Sequence, residues 1–272
     1  MSEPDQKVAV VTGGSQGIGA GLVAEYRRRG WAVVATSRTI EPDGDPGVLT
    51  VDGDISEAVT ADRIISGALE RFGRIDSLVN NAGVYISKPF TDYTTDDYVT
   101  VVGVNLTGFF MLTQRAIVEM LKLGGGHIVN ITTTLADYAN TSAPSVLTSL
   151  TKGGIASATK SLAVEYASRG IRVNAVSPGI IQTPVHPVES YADLGSQLPP
   201  VGHVGQVRDI VDGILYLESS PFITGEVLLT VARSQATDRR PPMPRVVEDA
   251  RASRCQPRVA SAWRELARLN SL

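Results

Sequence analysis

The segment Thr12-Gly13-Gly14-Ser15-Gln16-Gly17-Ile18-Gly19 has residue types and spacing suited to holding a diphosphate. Glycine accepts the tight turn, lets backbone N–H groups approach phosphate oxygens, and lets a following helix pack close to a sheet. A helix starting there adds unpaired N–H groups and a partial positive charge. No Gly-Lys-Ser/Thr follows, so the turn is not a nucleoside-triphosphate P-loop. Other chemistry-bearing types are sparse. His127, His186 and His203 stand too far apart in sequence to form a metal site, and no metal is expected. The single cysteine, Cys255, excludes an internal disulfide framework and fits a reducing, cytoplasmic setting.

The elements that must position this turn are readable from short apolar runs. Strands are expected at 8–11, 31–35, 48–51, 77–79, 128–131, 173–176 and 227–231, with helices at 18–30, 57–72, 101–122, 145–168 and 207–217. Val/Ile-rich runs without polar alternation are what strands buried on both faces require. Their alternation with helical stretches predicts the α/β class: a doubly wound parallel sheet of about seven strands (a Rossmann fold) in one domain, residues 1–231. The glycine turn then lies where the first strand becomes the first helix, the context in which dinucleotide binding is the sharper reading than a mere turn.

The spacing Thr12-Gly13-x-x-x-Gly17-Ile18-Gly19 resembles the fingerprint of the short-chain dehydrogenase/reductase family. Asn80-Asn81-Ala82-Gly83 is similar to the family's N-N-A-G after the fourth strand, and Asp54-Ile55 to the acidic position that touches the adenine. Asn105 matches the catalytic-helix asparagine, and Ser177-Pro178-Gly179 with Thr183 matches the P-G-x-x-x-T segment beside the nicotinamide. The resemblance implies a cofactor cradle of Gly13, Ser15, Gln16, Gly17, Ile18, Gly19, Ser37, Arg38, Asp54, Ile55, Asn81, Ala82, Gly83, Lys152, Pro178, Gly179 and Thr183. It implies hydride transfer with a carbonyl or alcohol substrate, and a homo-oligomer (dimer or tetramer) built on helices 101–122 and 145–168. In NAD-specific relatives an acid ends the second strand. Here the chain reads Ala35-Thr36-Ser37-Arg38-Thr39, and a guanidinium that would hold a 2′-phosphate favours NADP over NAD.

The catalytic positions depart from the family. Lys152 is in register, but four residues earlier stands Thr148 where relatives carry the proton-transferring tyrosine. The serine position reads Thr133, within Ile131-Thr132-Thr133-Thr134. The catalytic set is therefore Asn105, Thr133, Thr148 and Lys152. A phenol titrates near 10 and a neighbouring ammonium can lower it, whereas an aliphatic alcohol starts far higher and is no proton shuttle. Threonine for serine still donates a hydrogen bond. Tyr138 and the histidines 186 and 203 are candidate surrogates, each also readable as an ordinary loop residue.

The Pro-punctuated connection 184–204 is expected to overlie the crevice and set substrate choice. Beyond Val231 the resemblance stops. Residues 232–272 hold nine arginines, no lysine and four acids, a balance of +5, against −8 for the rest of the chain. This tail reads as poorly ordered and resembles out-of-frame coding; a nucleic-acid arm is the sharper alternative. A whole-chain charge of −3 argues against nucleic acid or an anionic membrane as partner, 43% hydrophobic content argues against disorder, and no uncharged apolar run approaches a membrane span. Two functions compete: an NADP-dependent carbonyl/alcohol oxidoreductase of doubtful competence, and a catalytically inactive dinucleotide sensor or subunit partner.

Overall fold

In the apolar run Val8-Ala9-Val10-Val11, successive side chains point to opposite faces of a strand, so a run with no polar member must be covered on both sides. A computed structural model, which describes residues 6–139, 143–184 and 201–230, shows this arrangement. Strand β1 (Val8–Thr12) is buried throughout: Val8 and Val10 enter one core, Ala9 and Val11 the other.

The remaining strands are β2 (Ala32–Ser37), β3 (Val48–Asp52), β4 (Ser77–Asn80), β5 (Gly126–Ile131), β6 (Ile171–Pro178), the short β7 (Ile181–Gln182) and β8 (Gly205–Gln206), and β9 (Val227–Thr230). Seven of them form a parallel sheet in the order β3-β2-β1-β4-β5-β6-β9. The direction of winding reverses between β1 and β4, where a doubly wound sheet opens a crevice at its carboxyl edge.

The helices are α1 (Gly17–Arg28), α2 (Ala58–Phe72), α3 (Thr95–Val102), α4 (Gly108–Leu123), α5 (Val146–Tyr166) and α6 (Val207–Glu218). One face of the sheet packs on α2, α4 and α5 through Ile64, Ala68, Leu112, Met120 and Ala163. The other packs on α1 and α6 through Leu22, Tyr26, Ile210 and Ile214. The expected single-layer sheet with helices on both sides is the observed one.

Three features differ from the sequence reading. The helix expected at 101–122 begins at Thr95, after a capping box in which Thr94 and Asp97 exchange side-chain and backbone hydrogen bonds. It then runs through a π-helical turn, Gly103–Thr107, into α4. The continuous helix Thr95–Leu123, 29 residues, is long and apolar enough to cross a membrane by length and composition, although Asp96, Asp97, Arg115, Glu119 and Lys122 interrupt it and it is not an uncharged apolar run. Its inward side chains Val101, Leu112, Ala116 and Met120 are fully buried, as in a helix packed on a sheet. Finally, β7 and β8 form an unexpected parallel pair that joins the two ends of the connection between them. Most of that connection, with His186, and the chain from Val231 onward lie outside the described residues, so the expected boundary and tail do too.

Candidate active site

The glycine turn sits at the carboxyl edge beside the β1/β4 switch point. Gly13 and Gly17 hold φ of +67° and +55°, a region that side-chain-bearing residues rarely enter. A Cβ on Gly19 would collide with the Gly13 carbonyl, so α1 can approach the turn only with glycine there. Gln16 precedes α1 in extended conformation without a side-chain cap, and no acid stands in the first turn. Among the described residues, therefore, neither a Gln16 side-chain cap nor a first-turn carboxylate takes up its N–H groups, the condition under which a helix start can receive an anion. Ser15 and Gln16 are exposed on the rim, while Ile18 packs into the second core and anchors the helix start.

Thr12 locks this turn to the loop after β4. Its Oγ1 accepts from the backbone N–H of Asn81 and of Ala82, both at 2.9 Å, and the Asn81 amide donates to the Thr12 carbonyl at 2.8 Å. Asn80 is turned inward, donating to Thr113 Oγ1 and Asn130 Oδ1 at 2.9 Å each. Thr12 is the organising residue that the motif spacing alone did not single out; its threonine at the last strand position was the available signal.

At the end of β2, Ser37 Oγ accepts from the Thr39 N–H at 3.3 Å. Arg38 next to it is exposed and forms no ion pair among the described residues. The acids nearby are committed elsewhere. Asp52 pairs with Arg63 at 2.7 Å. Asp54 accepts from the Ser56 hydroxyl (2.7 Å) and N–H (2.9 Å), and these bonds hold its carboxyl below the usual 3.8. Ile55 packs against the bare Cα of Gly108, where a Cβ would lie 2.9 Å from it.

On the other side of the switch point, Pro178 closes β6 and Gly179 follows, with Thr183 beyond; a Cβ on Gly17 would lie 3.4 Å from Thr183 Cγ2. This places Thr183 against the phosphate turn. Among the described residues, two buried hydroxyls at the strand ends, Thr36 Oγ1 and Ser177 Oγ, find no partner, and neither does Thr148 Oγ1.

Lys152, on the second turn of α5, is buried, and its Nζ donates to the Ile131 carbonyl at 2.7 Å. Among the described residues no carboxylate pairs with it, and burial draws its ammonium down from 10.5 to about 8. A Cβ on Gly83 would sit 3.1 Å from this Nζ and 3.4 Å from Asn105 Oδ1, so Gly83, Lys152 and Asn105 meet. Lys152 and Asn105, with Thr12, Asn80 and Ala82, line a cavity of about 10 Å³, the size that takes one water molecule. Asn105 lies in the π turn. Its Oδ1 accepts from Val84 N–H (2.8 Å), and its amide donates to the Val84 carbonyl and Thr151 Oγ1 (3.1 Å each). Its side chain is thus a brace between the loop after β4 and α5, a role the sequence did not reveal.

Thr148 is buried at 4% exposure. Thr133 starts the turn after β5, its Oγ1 accepting from Leu135 N–H at 3.3 Å; Ser149 Oγ, donating to the Leu135 carbonyl at 2.9 Å, ties α5 to that turn. Tyr138 stands 42% exposed in the loop beyond. His203 is exposed, with Nδ1 3.0 Å from the Val204 carbonyl. His127 is at the far, amino edge of the sheet, buried between Glu218 and Asn174, as a structural residue. Among the described residues no cluster of His, Cys, Asp and Glu could hold a metal ion.

A glycine turn at the switch point of a doubly wound parallel sheet defines a Rossmann-type nucleotide-binding protein. The sequence profile described as short chain dehydrogenase matches residues 7–191. Among curated proteins, 3beta-hydroxysteroid dehydrogenase 1 of Eggerthella lenta is 34% identical over 249 residues, spanning 82% of this chain and 91% of that protein. The 3-oxoacyl-[acyl-carrier-protein] reductase of Thermotoga maritima is 33% identical, spanning 82% and 95%. Among solved structures, ElxO with NADP bound superimposes with a TM-score of 0.76 at 31% identity, covering 83% of this chain and 97% of that one. The Brucella melitensis 3-ketoacyl-(acyl-carrier-protein) reductase complexed with NADH gives 0.76 at 28%, covering 84% and 97%. The chain belongs to the short chain dehydrogenase family, a class of oxidoreductases.

Proposed function

We propose that this chain binds NADP(H) at the β1/β4 switch point and exchanges hydride with a small carbonyl or alcohol substrate. The observation that carries the reading is the uncapped, acid-free start of α1 behind a turn in which Gly13 and Gly17 hold positive φ and Gly19 has no room for a Cβ. Gly13, Ser15, Gln16, Gly17, Ile18, Gly19 and Thr183 would hold the diphosphate. Ser37 and Arg38 would take the adenosine 2′-phosphate, and Asp54 and Ile55 the adenine. Asn81, Ala82, Gly83, Lys152, Pro178 and Gly179 would frame the nicotinamide ribose and ring. Thr36 and Ser177, buried and without a side-chain partner among the described residues, lie along this same edge. A bound nicotinamide supplies or accepts the hydride. Thr133 has an O–H free to donate to the substrate oxygen, since its own oxygen is the acceptor in the turn. Asn105 braces the π turn against α5 and so keeps Lys152 beside Gly83.

The proton is the weak link. Thr148 offers a buried alcohol where a titrating group is needed, so turnover of generic ketones is slow. That hydroxyl also supports a second reading, a dinucleotide-binding sensor or subunit partner without turnover. Exposed apolar side chains on α4 and α5 (Phe110, Val118, Leu150 and Val164) support a homo-oligomer through these helices. We place the domain boundary near Val231 and the protein in the cytoplasm.

The experiment is a fluorescence titration with NADPH and NADH followed by a carbonyl panel. Preferential NADPH binding with measurable reduction supports the enzyme, binding without reduction supports the sensor, and fast reduction at neutral pH contradicts the weakness assigned to Thr148.

A further inference from the structure

We infer that Lys152 is itself the proton donor and acceptor of this oxidoreductase, replacing the missing phenol rather than tuning one; the inference rests on the reading of the site given above. Thr148 fills the position from which a phenol would act, and its buried hydroxyl is bonded to nothing among the described residues. Lys152, one helical turn further along α5, is a buried ammonium that, among the described residues, has no counter-ion and donates to the Ile131 carbonyl alone. An ammonium has three N–H bonds, so two remain to be directed toward the crevice beside Gly83 and toward the small cavity shared with Asn105.

Among the described residues, the groups that face Lys152 cannot compete for the role. Thr12 from β1, Asn80 from β4, Ile55 and Asn105 are neither acids nor bases in the working range. Tyr138 is exposed on a loop, and His203 is exposed beside Val204. A buried cation without a partner is poised to lose its proton at mild pH, which agrees with the fall of Lys152 to about 8.

In the reducing direction the carbonyl carbon gains hydride from a reduced nicotinamide, and the electron pair of the C=O π bond takes a proton from the Lys152 ammonium. The products are an alcohol, an oxidised nicotinamide and a neutral amine. Water reaching the Asn105 cavity returns the proton to the amine. Oxidation runs the same path backward, with the neutral amine as base.

The test uses the full-length chain. Acetic anhydride labelling without cofactor, read at Lys152 by mass spectrometry against pH, is expected to give half-labelling near 8. Lys152→Arg keeps the cation but gives up no proton at these pH values. At saturating NADPH its kcat for a ketone is expected to fall at least about 100-fold. Adding Thr148→Tyr to Lys152→Arg supplies a new proton donor beside a fixed cation and is expected to recover part of that loss, which a merely displaced substrate would not. Labelling at the ordinary lysine pH overturns the inference. So does a Lys152→Arg enzyme with parental kcat, or a parent that binds NADPH yet reduces no ketone. Failure of the parent to bind NADPH removes the underlying functional reading as well, and so is distinguished from these.

Discussion

Replacing Glu218 by leucine removes the acceptor at the centre of a buried cluster on the amino edge of the sheet. Glu218 Oε2 accepts from Ser77 Oγ at 2.8 Å and Tyr26 OH at 3.0 Å, and lies 3.1 Å from His127 Nδ1. The Asn174 amide stands 3.0 Å from His127 Nε2 and also donates to the Ile223 carbonyl. It therefore faces Nε2 with a donor, which fixes His127 as the neutral ring protonated on Nδ1. Arg172 holds the same helix end, donating to the carbonyls of Leu217, Glu218 and Ile223 at 2.8, 3.1 and 3.1 Å. With leucine at 218, Tyr26 and Ser77 retain only their mutual 3.4 Å contact, and the His127 N–H loses its acceptor. Each stranded buried donor costs about 1–3 kcal/mol, and breaking a buried charged network about 3–5 kcal/mol in all. For a body of this size about 1 kcal/mol moves Tm by about 2–4 °C, so Glu218→Leu is expected to lower Tm by about 6–20 °C. Circular dichroism melts at pH 7.5 read this directly, with NADPH affinity at low temperature unchanged because the cluster lies across the sheet from the glycine turn. A loss under about 2 °C would refute the reasoning.

The same cluster sets an acid limit. Burial holds His127 below its ordinary 6.5, and the donors around Glu218 hold its carboxyl below 4.5 against the opposing effect of burial. In both cases the unfolded chain takes up the proton first. The stability is therefore present above those ordinary values and lost as pH falls through the folded ones. Urea melts from pH 7.5 to 4 should show the parent losing stability below about 6.5, with a flatter profile for His127→Phe. Arg38→Ala should weaken NADPH by about 10–100-fold, the worth of a charge-assisted contact, and leave NADH unchanged; equal loss for both would remove the reason for naming NADP. Gly19→Ala forces a methyl against the Gly13 carbonyl and should weaken both coenzymes by at least about tenfold in the same titration, so undiminished binding would place the diphosphate elsewhere. Thr148→Tyr should raise kcat for ketone reduction by adding a phenol beside Lys152; no gain with coenzyme still bound would mean that a phenol at position 148 does not reach the substrate oxygen.

Much of the fold was legible because its signals are local. Apolar runs such as Val8-Ala9-Val10-Val11 admit no solvent face, and the glycine turn lies directly between strand and helix. Thr94 and Asp97 carried the capping signal for α3 in plain view, yet the glycines at 103 and 108 obscured the continuity of the helix through its π turn. What was not legible is long-range. Glu218 meets Tyr26 across 192 residues and Ser77 across 141, and no periodicity encodes such a pairing. The two-residue strands β7 and β8 are too short for any pattern to mark. In the site, Lys152 and Thr148 were visible as a departure from a motif, but the brace from Asn105 to Thr151 and the missing partner of Thr148 depend on how α5 docks.

Isothermal titration calorimetry of the folded full-length chain with NADPH and with NADH tests the central claim most directly. Saturable one-site binding of NADPH, tighter than that of NADH, is the result the account requires. Heat from neither coenzyme, in material whose circular dichroism and melt show an intact fold, would contradict it.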